Sequence, residues 1–289
     1  MLFRSTLIDE PMRKHTTFGV GGPADVFVVP DSVDEAVATV RACRKLGVPN
    51  FVLGKGSNLL VSDEGFRGVI VALEKLNGIE VVSTTIECEA GASLGSVAER
   101  ACEMGLCGFE FAGGIPGTVG GACFMNAGAY DGCMADVLRS VDVLDADGEV
   151  RTIDADDLAL GYRTSRVRTD DLVVLRARIE LAPGDLQDIR AKMREFNRRR
   201  KEKQPLEYRS AGSTFKRPEG YFAGKLIMDA GLKGYAVGGA CVSTKHAGFV
   251  VNTGGATAAD VRSVISHVQD EVERQFGVRL EPEVRFLGW

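Results

Sequence analysis

The sequence predicts an α+β protein of two α/β lobes followed by a C-terminal α+β unit. Three observations carry that reading. Strand-like and helix-like runs alternate through the first third of the chain. From Ile79 onward, paired strands gather around turn residues. Beyond Pro205, a Ser/Gly-rich loop at 210–213 precedes one long helix with a clear apolar stripe.

Each element has its own signal. Asp25–Val29 reads as a strand ended by Pro30, and Ser32 then caps a helix with Glu35 as its capping-box partner. Val33, Ala36, Val37 and Val40 recur at helical spacing until Gly47 stops them. Residues 51–53 form a short strand running into GKGSN, and Val69–Leu73 forms another. IEVVSTTIECEAG, from Ile79, gives strands on both sides of a polar turn, and Ser93–Met104 a helix. Val141–Ile153 alternates around Asp147–Gly148, the pattern of a hairpin, and Leu172–Leu181 is a long strand. Leu186, Ile189, Met193 and Phe196 mark one face of a helix that ends before Pro205. In the last part Val261, Val264, Ile265, Val268, Val272 and Phe276 form the stripe, with Thr257 and Asp260 at its start and Gly277 at its end. Val278–Leu287 reads as a terminal strand able to pair elsewhere.

Composition narrows the class. Of 289 residues, 45% are apolar and 26% charged, an ordinary globular balance. The 35 glycines cluster without a three-residue period, which excludes collagen. A net charge of −5 argues against a dedicated nucleic-acid binder. The one basic run, Arg198–Lys203, reads as a solvated helix end, with attraction of an anionic ligand or of nucleic acid as the lesser readings. No apolar run is long enough for a membrane span, and the N-terminus carries charges where a signal peptide needs its apolar core. Seven cysteines without a CxxC pair, with three histidines, predict no metal site and suggest reduced thiols in the cytoplasm.

The stretch FAGGIPGTVGGACFMNAGAYDG, Phe111 to Gly132, is dense in glycine, and glycine is the costliest residue to order. A flexible linker has no use for Ile115, Val119, Phe124, Met125 and Tyr130. Two readings stay open: tight turns, or backbone brought close to a polyanion. The second glycine loop, Gly54–Asn58, directly follows a strand, where successive N–H groups can form an anion-binding concavity. It fits neither the dinucleotide fingerprint, since Leu59 takes the third glycine position, nor a Walker A loop. Arg163 in GYRTSR, Ser213 in RSAGSTFKRP and Glu283 in LEPEVRFLG stand in odd company. Singly they read as a surface or paired arginine, a turn serine and a solvent-facing strand glutamate. Together they could clamp a carboxylate, deliver a proton and steady a developing anion. No GxSxG elbow surrounds Ser213, so a hydrolytic triad is not expected.

The segments TTFGVGGPAD (16–25), LGKGSNLLV (53–61), GIPGTVGGACFMNAGAYDG (114–132), GYRTSR (161–166), SAGSTFKRP (210–218), AGKLIMDAGLKG (223–234) and LEPEVRFLG (280–288) run nearly end to end. In this order they make the chain closely resemble the UDP-N-acetylenolpyruvoylglucosamine reductases, flavoenzymes of bacterial peptidoglycan synthesis. The resemblance implies a vanillyl-alcohol-oxidase/PCMH-type FAD-binding fold. Lobe 1 would cover 1–75, lobe 2 76–200, and a substrate domain 201–289, its last strand able to return to lobe 1. It also implies non-covalent FAD, NADPH as co-substrate and a UDP-sugar substrate.

Residue by residue, Gly54, Lys55, Gly56, Ser57 and Asn58 would wrap the FAD pyrophosphate. Gly113, Gly114, Ile115, Gly117 and Thr118, with Gly120 and Gly121, would line the same cofactor, and Asn126, Ala127 and Gly128 would continue that wall to Tyr130. Arg163 would bind and polarise the enolpyruvyl carboxylate, Ser213 protonate the substrate, and Glu283 serve as the active-site glutamate. Tyr162, Lys216 and Lys233 match substrate-binding positions. Between 163 and 213 there is no room for the inserted loop and helix–strand unit of the family's long form, so the compact form is expected. Thr16, Lys55 and Asp131 depart from the residues common at their positions. No nucleic acid, membrane or metal partner is implied, and a cytoplasmic monomer is expected. The nearest rival is another FAD oxidoreductase with covalent flavin, for which Cys123 offers the one plausible link. A nucleotide-binding regulator without catalysis is disfavoured by Arg163, Ser213 and Glu283 all being present.

Overall fold

The computed structural model describes residues 6–130 and 132–289. Two compact units emerge: one built from Phe27–Lys55 and Val69–Arg200, the other from Leu7–Val26, Gly56–Gly68 and Lys201–Trp289.

The first unit centres on a five-stranded antiparallel sheet. Its order is Val150–Asp154, Leu138–Leu144, Val173–Glu180, Thr85–Glu89 and Ile79–Val82. The predicted hairpin closes in register, Val141 opposite Ile153 and Leu144 opposite Val150. Alternation then buries Val141, Val143, Ala177, Ile179 and Ile86 on one face, as a half-buried sheet requires. Helix α1 (Val33–Leu46) starts where expected, the Ser32 hydroxyl accepting from the Glu35 N–H at 3.2 Å. The Glu35 carboxylate accepts from Asp31 rather than Ser32, one residue beyond the expected box. Gly47 closes α1 at φ +65°, a left-handed cap that a side chain would strain. Asn50–Leu53 pairs in parallel with Val69–Ala72. Helix α2 (Leu94–Glu103) is capped by Ser93. Helix α3 (Val119–Met125) lies inside the glycine-rich stretch, where the sequence predicts only turns or loop. A short α4 (Arg166–Thr169) and the long α5 (Leu186–Lys203) follow. Met193 and Phe196 of α5 pack on the core, as their spacing predicts.

The second unit carries a four-stranded antiparallel sheet ordered Arg209–Ser210, Val250–Asn252, Ala240–Val242 and Ala236–Val237. Helices α6 (Ala223–Asp229) and α7 (Ala258–Phe276) complete it. The α7 start forms the full capping box, Thr257 and Asp260 each accepting from the other's backbone N–H. The Asp63 carboxylate takes two further first-turn amides, those of Ala258 (2.8 Å) and Ala259 (2.9 Å). The unit's core includes Val261, Val264, Ile265, Val268 and Val272 of the predicted stripe, whereas Phe276, at the last turn of α7, is exposed.

The terminal strand is shorter than predicted. Only Arg285–Leu287 forms a strand, parallel to Leu59–Val61. Upstream, an isolated bridge joins Pro282 to Phe215, and proline's missing N–H blocks a continuous ladder. Among the described residues, no helix is long and apolar enough to cross a membrane.

Candidate active site

The second unit holds one cluster of the predicted residues. Gly56 sits at φ +59°, and a Cβ there would lie 2.0 Å from the His15 carbonyl oxygen. Glycine is therefore obligatory on two counts, backbone sign and space. The Thr17 N–H donates to the Gly56 carbonyl at 3.1 Å, so residues 15–17 hold the loop from one side. Asn58 turns its amide inward, Nδ2 donating to the Glu283 carbonyl at 3.0 Å, while the Arg285 N–H donates to the Asn58 carbonyl at 3.0 Å. Ser57 is half-buried and Lys55 exposed.

Glu283 lies just before the terminal strand, not within it. Its N–H donates to the Thr214 carbonyl at 2.8 Å, which ties it to the turn that presents Ser213. Thr214, wholly buried, is held on two further sides. Its N–H donates to the Gly248 carbonyl at 2.8 Å, and its hydroxyl oxygen accepts from the Val250 N–H at 2.9 Å. Ser213 itself is exposed at the surface of this fixed backbone. Lys216 forms an ion pair with Glu281. Lys233 is exposed, its charge reaching His246.

The first unit gathers a second cluster. Gly161 and Thr164 close a tight turn by two mutual backbone bonds, leaving Tyr162 and Arg163 at its tip. Arg163 has φ +56°, a left-handed conformation that non-glycine residues adopt at a cost and that gathers at functional sites. Its guanidinium lies 5.3 Å from the Tyr162 ring centroid and 3.5 Å, through Nη2, from the Gly128 carbonyl. Asn126, buried and left-handed, donates from Nδ2 to the Gly161 carbonyl and accepts at Oδ1 from Ala135. It thereby fixes the Arg163 turn beside Ala127 and Gly128.

The glycines of this stretch answer to space rather than to backbone sign. None of Gly113, Gly114, Gly120, Gly121 and Gly128 is among the positive-φ glycines. A Cβ on Gly120 would stand 3.0 Å from that of Ala90, on Gly114 2.8 Å from Asn197 Oδ1, and on Gly128 2.6 Å from the Gly132 carbonyl. Gly54 likewise faces Thr118, whose Oγ1 would be 2.4 Å from a Cβ. The Val119 and Gly120 amides are committed to the Ala92 and Ala90 carbonyls. Gly121 differs: it is exposed, and a Cβ there would meet nothing nearer than 3.6 Å. Ile115 is partly buried against the core.

Two observations bear on a dinucleotide. The Thr17 hydroxyl is buried and has no hydrogen-bond partner among the described residues, while its backbone N–H meets the Gly56 loop, so it is a donor suited to an anionic ligand. Cys123 is fully buried in the core, and burial pushes its thiol far above its usual range. A thiol so buried and held neutral is a poor nucleophile.

A family described as FAD binding domain matches residues 24–154, and one described as UDP-N-acetylenolpyruvoylglucosamine reductase, C-terminal domain, matches residues 204–287. The reductase of that name from Clostridium beijerinckii is 54% identical, over 97% of this chain and 92% of its own. The chain belongs to the UDP-N-acetylenolpyruvoylglucosamine reductase family. The Caldanaerobacter subterraneus member is 52% identical over 97% of this chain and 93% of its own. The crystal structure of the Thermus caldophilus reductase superposes with a TM-score of 0.84 at 35% identity, covering 98% of both chains. A Phl p 4 variant, a glucose oxidase, shares only the fold (TM-score 0.50, 18% identity, 64% of this chain and 43% of that one). The FAD-binding fold of the vanillyl-alcohol-oxidase/PCMH type, followed by a C-terminal α+β domain, is thus the architecture of this family member.

Sequence reasoning missed Thr17, Thr214 and His246. Thr17 and Thr214 lie within quoted motifs, but a threonine beside a glycine or serine carries no signal of its own until its hydroxyl's surroundings are known. Of the departures from the family pattern, Thr16 spends its hydroxyl on the Val20 carbonyl at 2.8 Å. Asp131 lies outside the described residues.

Proposed function

We infer that this chain reduces UDP-N-acetyl-3-O-(1-carboxyvinyl)-glucosamine to UDP-N-acetylmuramate with NADPH, by way of FAD. The carrying observation is that Asn58, Glu283 and the Ser213–Thr214 turn are joined by direct hydrogen bonds, in a chain of the reductase family. When bound at Gly54–Asn58 and the 113–128 stretch, FAD would supply the hydride chemistry that carries reducing equivalents from NADPH to C3 of the enolpyruvyl group.

The protein's part follows from the substrate's weakness. An enol ether is a poor electrophile, and hydride addition pushes charge onto the substrate carboxylate. Arg163 binds that carboxylate and polarises it, its planar guanidinium suited to a two-point grip. Glu283 serves as the active-site glutamate that steadies this developing charge; one hydrogen-bond donor to such a charge is typically worth ~3–4 kcal/mol. Ser213 gives its proton to C2, completing addition across the double bond. Tyr162, Lys216 and Lys233 bind the remaining parts of the UDP-sugar. Gly54–Asn58 hold the FAD pyrophosphate, and residues 113–121 and 126–128 line the cofactor.

On this reading lobe 1 spans 1–75, lobe 2 76–200 and the substrate domain 201–289. The water-soluble substrates and seven thiols outside disulfides suit a cytoplasmic enzyme, expected as a monomer.

Visible spectroscopy tests the whole. The purified protein is expected to be yellow, to bleach anaerobically with NADPH, and to regain its colour on adding the enolpyruvyl sugar. A folded preparation that refuses added FAD would overturn the reading.

A further inference from the structure

Thr16 and Thr17 are adjacent and chemically alike, but their hydroxyls have different fates. Thr16 is buried and donates to the Val20 carbonyl, closing its own loop. The Thr17 hydroxyl is shut away from water and, among the described residues, meets no hydrogen-bond partner. Nothing about its backbone is loose. Its N–H is spent on the Gly56 carbonyl, and the preceding His15 carbonyl rests against the Gly56 α-carbon. On the far side, Phe18 is fully buried and its carbonyl accepts from Asn252 Nδ2 at 2.9 Å. Gly19 follows at φ +67° with the Arg209 guanidinium packed on it.

A β-branched side chain on such a backbone has little rotamer freedom, so the hydroxyl is held where it is. A buried hydroxyl left unpaired is destabilising, and a valine would fill the same volume without the penalty. The polar atom makes sense if a ligand supplies the acceptor. The neighbouring loop, Gly56–Asn58, is the one read above as the seat of the cofactor diphosphate.

We propose that Thr17 is a further cofactor-binding residue, whose hydroxyl donates to a phosphate oxygen of FAD at the Gly56 loop. The inference rests on the FAD reading of that loop. It makes the cofactor's diphosphate the missing partner of an otherwise orphaned donor, and gives Thr17 two tasks, backbone to the loop and side chain to the ligand.

FAD is stripped from the protein, and apo wild type, Thr17→Val and Thr17→Ser are titrated with FAD by fluorescence quenching. Thr17→Val is expected to weaken FAD binding about tenfold or more, tenfold being the low end for one hydrogen bond to a charged group. Thr17→Ser is expected to stay within about threefold of wild type. The apo melting temperature of Thr17→Val is expected to equal or exceed that of wild type, because no bond within the protein is lost. An unchanged FAD Kd for Thr17→Val, beside normal wild-type binding, overturns the proposal alone. So does an apo melting temperature several degrees lower, which would reveal a protein partner for the hydroxyl. If wild type itself takes up no FAD, the proposed function falls and this inference with it. Should Thr17→Val not fold, Thr17→Ala supplies the same Kd comparison, with the same two readings.

Discussion

The backbone N–H of Glu283 donates to the carbonyl oxygen of Thr214 at 2.8 Å, so the segment bearing the predicted glutamate is pinned one residue away from Ser213. Thr214 is the hub, because its own N–H and hydroxyl oxygen are taken by Gly248 and Val250. Thr214→Val keeps the shape but strands the Val250 N–H, which costs ~1–3 kcal/mol. Denaturant unfolding should show that loss. Turnover, measured where the variant is still folded, should fall as well, since Ser213 and Glu283 lose their common anchor. Wild-type stability in the valine variant would contradict this account.

Ser213→Ala separates the two halves of the reaction. Stopped-flow absorbance should show flavin reduction by NADPH unchanged. Reoxidation by the enolpyruvyl sugar should slow by ~100-fold or more, the lower range for a lost general acid. Undiminished reoxidation would remove Ser213 from the proton step. For Arg163→Ala the proposed mechanism predicts a fall in kcat as well as a rise in KM, since there the guanidinium acts on charge that grows during the reaction. Full kcat with only a raised KM would make Arg163 a binding residue alone.

Acid sensitivity should trace to His246. Its Nδ1 accepts from the Gly248 N–H at 3.2 Å, and Gly248 in turn holds Thr214. Burial lowers the imidazole's affinity for a proton, and the Lys233 charge adds to this against an opposing backbone hydrogen bond. The folded value therefore lies below the ordinary ~6.5 of the unfolded chain. Between the two, the unfolded state binds more protons, so this stability is intact above pH ~6.5 and is lost as pH falls toward the folded value. One proton limits the slope to about 1.4 kcal/mol per pH unit. Unfolding curves from pH 7 to 5 should be flatter for His246→Asn than for wild type; equal slopes would exclude the histidine.

Gly56→Ala meets both the left-handed backbone and the His15 carbonyl. The backbone alone costs ~1–2 kcal/mol, and relief of the clash must move the loop. The variant is expected to melt lower than wild type and to be purified with less bound flavin. Gly121→Ala, exposed and with nothing nearer than 3.6 Å to its Cβ, should keep the apo protein's stability. A normal flavin content in Gly56→Ala would show that the loop tolerates the methyl group.

Helix ends are readable in the sequence because capping acts within a few residues. Ser32, Thr257, Asp260, Gly47 and Gly277 all take the roles that local spacing predicts. The hairpin around Asp147–Gly148 and the stripe of α7 are readable for the same reason: both patterns are local in the chain. Helix α3 is not. Gly120 and Gly121 each disfavour a helix by about 1 kcal/mol relative to alanine. The helix forms because Val119, Ala122 and Cys123 are buried in the core, and because the Ala92 and Ala90 carbonyls take its first amides. The terminal strand fails in the opposite sense: apolar alternation favours it from Val278, but Pro282 and the Phe215 bridge confine it to three residues.

By itself the sequence determined where α1, α2, α5 and α7 lie and, through its motifs, the family to which the chain belongs. Tertiary structure alone decided that Asn58 meets Glu283, 225 positions away, that Thr214 holds the Ser213 turn, and that Thr17 buries a hydroxyl without a protein partner. The physical reason is distance along the chain. Caps and stripes are set by neighbours within a turn or two, whereas hydrogen bonds between remote segments exist only after the core has brought their backbones together.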